Sequence, residues 1–217
     1  MNNSAASSGV LNSSARIDGL EVNGMMLFRN FTVRDWLLFS GNLSMFATSL
    51  LYIAWWVAVF RPGAAASRSV SAALLIPAFL TGFAAILLFV FGVRLPFDVR
   101  PLVPAGRILI AGLLLYVILL AVSIYAFHRP VTSELFIMIL WAAGELCALS
   151  ALYTAGRFGT PAAVVLKLLV LAATVSGFIC YLRYYHLEGT ASFVDGLIPL
   201  VSDAFVTAVF LVLHAFA

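Results

Sequence analysis

Apolar residues run through this chain in unbroken blocks, and the charged residues fall mostly between them. Each block is long enough for a helix to cross the ~30 Å hydrocarbon core of a bilayer, which takes about 20 residues. The blocks cover residues 36–60, 71–93, 108–127, 133–155, 161–182 and 196–217. They are too long for strands, and in lipid a helix satisfies its own backbone hydrogen bonds. The pattern predicts an all-α membrane protein, a bundle of six transmembrane helices spanning residues 36–217.

Turn chemistry separates the blocks. Arg61-Pro62-Gly63 closes the first, and the stretch from Leu95 to Gly106 holds Pro96, Pro101 and Pro104. His128-Arg129-Pro130 leads into the fourth block. Gly156 to Pro161 forms a tight link into the fifth, with Pro161 placed for a first helical turn. Glu188-Gly189-Thr190 begins the last loop, which puts Asp195 at the start of the sixth helix, where an anion suits the backbone dipole. Glu134, after Thr132-Ser133, suits the start of the fourth helix for the same reason. Residues 1–24 are rich in Ser, Asn and Ala and read as a disordered tail. They lack the basic start and apolar stretch of a signal peptide. Residues 25–35 read as a juxtamembrane or interfacial segment, and Met25-Met26-Leu27-Phe28 beside Arg29 suits the membrane surface.

Composition agrees with the pattern. The chain is 64% hydrophobic and 10% charged, with a mean hydropathy of +1.10. A soluble domain carries roughly a quarter charged residues, so the bilayer itself is the predicted partner. The net charge of +3 comes from arginines scattered singly, with no basic run for nucleic acid. Six spans put Arg16, Arg29, Arg34, Arg94, Arg100, Arg107 and Arg157 on the side of the termini, against Arg61, Arg68, Arg129 and Arg183 opposite. This excess predicts both termini in the cytoplasm. Trp55 and Trp56 near Arg61, with Tyr181, Tyr184 and Tyr185 near His186, then read as aromatic belts on the far side.

Charged residues deep in a span are costly and need a reason to be there. Glu145, Lys167 and Asp203 are such residues. If the fourth and fifth helices form a hairpin, Glu145 and Lys167 both lie about 10–15 Å from the same membrane face, within reach of an ion pair. Helical spacing extends the polar faces. Glu134, Trp141 and Glu145 share one, Lys167, Thr174 and Tyr181 another, and Asp203, Thr207 and His214 a third. The first helix aligns Ser44, Thr48 and Trp55 beside Asn42 and Ser49. Glu145, Lys167, Asp203, Thr174, Thr207 and Asn42 are therefore the expected intramembrane polar site. The bland reading of each hydroxyl and amide is helix–helix adhesion.

Ala143, Cys147, Ala151 and Ala155 recur every fourth position, with Ala173 and Gly177 as a matching surface on the fifth helix. Such a stripe admits close approach of another helix, from this chain, a second copy or another membrane subunit. No catalytic, cofactor or metal site is indicated. His128 and His186 lie at the far ends of their helices and His214 near the opposite side, so no pair of histidines suits haem or a metal. Ser176 and His214 fall near opposite faces, against a serine–histidine nucleophile. Cys147 and Cys180 sit inside apolar blocks at different depths, against a disulfide. The expected function is a small transporter or solute-binding membrane component, with a structural or assembly subunit of a larger complex as the alternative. A lipid-modifying enzyme ranks third.

Overall fold

A computed structural model describes Phe28, residues 31–64, 68–94, 133–184 and 186–217, and individual positions between 111 and 125. Every regular element among them is a helix. They are α1 (Val33–Phe60), α2 (Arg68–Arg94), α3 (Ser133–Thr154), α4 (Thr160–Tyr184) and α5 (Gly189–Phe216). All five are long and apolar enough to cross a membrane. The fourth, fifth and sixth predicted spans correspond to α3, α4 and α5. The third predicted span, 108–127, lies largely outside the described residues; its described positions are helical. The tail 1–24, the loop 95–106, His128-Arg129-Pro130 and the Glu134 side chain also lie outside them.

Local chemistry explains the helix ends. Thr32 caps α1 in a reciprocal box: Asp35 N–H donates to Thr32 Oγ1 at 3.3 Å, and Thr32 N–H donates to Asp35 Oδ2 at 2.7 Å. Gly63 takes φ +80 in the turn after α1. After α3, Gly156 sits at φ +73, Arg157 N–H donates to the Leu152 carbonyl at 2.9 Å and Gly156 N–H donates to that of Tyr153 at 3.0 Å. This is a Schellman end, which satisfies two terminal carbonyls and sets the direction of Arg157.

The sixth predicted span begins earlier than its pattern suggests, at Gly189 rather than residue 196. The physical reason is Asp195. Its charge reads as a boundary, but inside the fold it pairs with Arg183 at 3.2 Å, so the helix continues past it.

Close contacts bind the helices. An added Cβ at Gly41 would lie 2.8 Å from the Phe89 ring, and one at Gly92 would lie 2.7 Å from Leu38, so α1 and α2 approach through glycines. Thr48 and Thr81 hydroxyls meet at 2.8 Å, and Trp55 Nε1 donates to Ser71 Oγ at 2.8 Å. The polar face of α1 thus serves mainly to hold α2. α3 is the most enclosed helix, with Ala148, Leu149 and Leu152 fully buried. On its stripe of small residues, Ala143 lies 3.1 Å from the Cβ position of Gly112, while Ala155 is exposed.

Two ends of the bundle can be distinguished. At one, Phe28 N–H donates to the Ala215 carbonyl at 3.2 Å, Asp35 meets Arg157, and Gly92 packs on Leu38. This end gathers the start of α1, the end of α2, the α3–α4 link and the end of α5. At the other, Trp56 Nε1 donates to the Phe193 carbonyl at 3.0 Å, and Ile137 shares a cavity wall with Trp56 and Tyr184.

Candidate functional site

α3 presents Trp141 and Glu145 one turn apart, and α5 presents Asp203 and Thr207 one turn apart. The two faces meet. Trp141 Nε1 donates to Thr207 Oγ1 at 2.8 Å, and Thr207 Oγ1 donates to Glu145 Oε1 at 2.8 Å. Glu145 and Thr207 are fully buried, and Trp141 nearly so. The second Glu145 oxygen, Oε2, has no hydrogen-bond partner among the described residues. Asp203 is 5% exposed, and its Oδ1 likewise lacks a partner among them. Asp203 lies one turn from Thr207, the residue that bonds Glu145. A buried polar group left unmatched costs about 1–3 kcal/mol, so two such oxygens in one place call for a ligand, water or proton.

A cavity of about 200 Å³ runs from this point towards the end marked by Trp56. α1 contributes Tyr52 and Trp56, α3 contributes Ile137 and Met138, and α4 contributes Gly177, Tyr181 and Tyr184. From α5 come Asp195, Gly196, Pro199, Leu200 and Asp203. Glycines make the room. A Cβ at Gly196 would lie 2.0 Å from the Trp56 ring, and one at Gly177 would lie 2.6 Å from Met138 Sδ. Trp56, Tyr181 and Tyr184, expected as belt residues, line this wall. Tyr185 lies outside the described residues.

The other expected site residues lie elsewhere. Lys167 is exposed, with Nζ 5.6 Å from the centre of the Tyr153 ring, and makes no ion pair with Glu145. Rotation explains the separation. The buried face of α4 is Ala163, Leu166, Val170, Ala173, Gly177 and Cys180, and Lys167 follows Leu166 by one residue, about 100° round the helix. Thr174 donates to the Val170 carbonyl at 2.7 Å within its own helix. Asn42 is fully buried on α1 and donates to the Leu38 carbonyl at 3.2 Å.

A second polar cluster closes the opposite end. Arg157 donates to Asp35 Oδ2, which also accepts from the Thr32 hydroxyl at 2.7 Å. His214 Nε2 lies 4.0 Å from Asp35 Oδ1, and the His214 ring stacks on Phe31 at 4.9 Å. The pattern places Asp35 just before the first predicted span and Arg157 in the link after the fourth. The Thr32-x-x-Asp35 spacing, a capping box, was the signal that Asp35 is structured. Among the described residues no group of three or more His, Cys, Asp or Glu could hold a metal ion.

These features define a multi-pass helical membrane protein with a buried polar network under an aromatic-walled cavity. No protein-family model matches the chain, and neither curated proteins nor solved structures give a significant match.

Proposed function

We propose that this chain is a six-span membrane protein that binds a small solute inside its bundle, as a transporter or the solute-binding component of one. The observation that carries this reading is a cavity lined by Asp203, a buried carboxyl whose Oδ1 has no partner among the described residues, beside the Trp141–Thr207–Glu145 network. A subunit built only for adhesion gains nothing from unmatched buried carboxyls, whereas a binding site uses them. Asp203 and Glu145 are the groups that hold solute or proton, and Thr207 links them to the core.

The crossing that completes the six is the third predicted span, 108–127, whose described positions are helical. α2 ends at the Asp35 end of the bundle and α3 begins at the Trp56 end, so an odd number of crossings joins them. With the arginine excess, both termini are cytoplasmic and the cavity opens on the far side. The Asp35–Arg157–His214 cluster then closes the cytoplasmic end, an arrangement suited to alternating access.

Purification in mild detergent, followed by mass spectrometry of bound small molecules and proteins, tests the reading. The parent chain should retain a small molecule that Asp203→Asn loses. Stoichiometric protein partners with no retained solute would favour the assembly-subunit alternative.

A further inference from the structure

Asp203 brings a carboxyl to the floor of the cavity, 5% exposed and with Oδ1 unpartnered among the described residues. The other acid on the wall, Asp195, has a cation beside it, Arg183 at 3.2 Å, whereas Asp203 has none within ion-pair distance among the described residues. The same cavity is lined by Tyr52, Trp56, Tyr181 and Tyr184, aromatic residues whose ring faces carry negative quadrupole charge. Carboxyl and rings favour a positive guest, and both disfavour an anion.

The rest of the wall is carbon and sulfur: Ile137, Met138, Pro199 and Leu200. A bare alkali or alkaline-earth ion wants six or more oxygens, which such a wall does not offer. An alkylammonium needs one counter-charge and aromatic faces. The volume of about 200 Å³ is below the ~300–1,000 Å³ of drug-sized sites, so the guest is small. We infer that the cavity binds a small organic cation, with its charged nitrogen at Asp203 and its alkyl groups turned towards the aromatic wall. The inference rests on the solute-binding reading above and names the chemical class of the solute.

Choline, its neutral isostere 3,3-dimethylbutan-1-ol and the anion 3,3-dimethylbutanoate separate charge from shape. Each is titrated into the full chain in lipid nanodiscs and followed by calorimetry and tryptophan fluorescence, to which Trp56 reports. The expected result is saturable choline binding at least tenfold tighter than that of the alcohol, with no binding of the anion. Asp203→Asn should weaken choline at least tenfold in monodisperse, fully helical protein, while Asp203→Glu restores most of the affinity. Equal binding of choline and the alcohol, no binding of choline, or an Asp203→Asn variant that binds choline like the parent would each overturn the inference. A neutral or anionic solute found on the purified parent chain and lost from Asp203→Asn would sink the cation assignment and leave the solute-binding reading standing. Absence of any retained solute would sink that reading itself.

Discussion

Thr207 is the pivot of the interior network, because one hydroxyl both receives from Trp141 and donates to Glu145. Thr207→Val keeps the shape and orphans a buried donor and a buried acceptor, each costing about 1–3 kcal/mol. Thermal unfolding in detergent should show a fall in Tm of several degrees for Thr207→Val and little change for Thr207→Ser. Equal Tm for the valine variant and the parent would mean the network contributes nothing. Lys167 gives the opposite expectation. It is exposed, at the edge of the face that buries Leu166 and Val170, so Lys167→Met should leave both Tm and choline binding unchanged. The polar spacings that united Trp141 with Glu145, and Asp203 with Thr207, were legible in the sequence. The Lys167–Glu145 pair was not readable from depth alone: depth places two residues at one level, while rotation decides whether they meet.

At the scale of helices, apolar pattern located every described element, because length and hydropathy are nearly one-dimensional properties in lipid. It erred where charge was read as a boundary. Asp195 lies inside α5 because Arg183 neutralises it, and Asp35 belongs to the capping box of α1 and the closure with Arg157. Which face of an apolar helix turns inward was hidden, since lipid and core prefer the same side chains. Gly196 tests the packing that shapes the cavity. A methyl there meets Trp56 at 2.0 Å, so Gly196→Ala must push the indole aside. Overpacking of this kind costs about 1–3 kcal/mol, and choline binding should weaken together with stability. At the other end, Arg157→Gln removes a charge-assisted bond to a buried carboxylate, a loss of about 1.5–3 kcal/mol, visible as a lower Tm with the cavity residues untouched.

The two ends of the bundle differ in chemistry. Asp35, Arg157 and His214 bind α1, the α3–α4 link and α5 together at the first, while Trp56, Tyr181 and Tyr184 frame the cavity towards the second. The proposed six crossings would place reporter fusions after Arg100 and after Arg129 on opposite sides of the membrane; the same side for both would contradict that topology. The most direct test of the account is accessibility of the cavity in intact membranes. Leu200 lines it one turn from Asp203, and the two native cysteines are buried and replaceable by alanine. In that background Leu200→Cys should react with a cationic thiol reagent added from the side opposite the termini, and choline should protect it. No reaction from that side, or reaction only from the side of the termini, would contradict a solute site opening away from the cytoplasm.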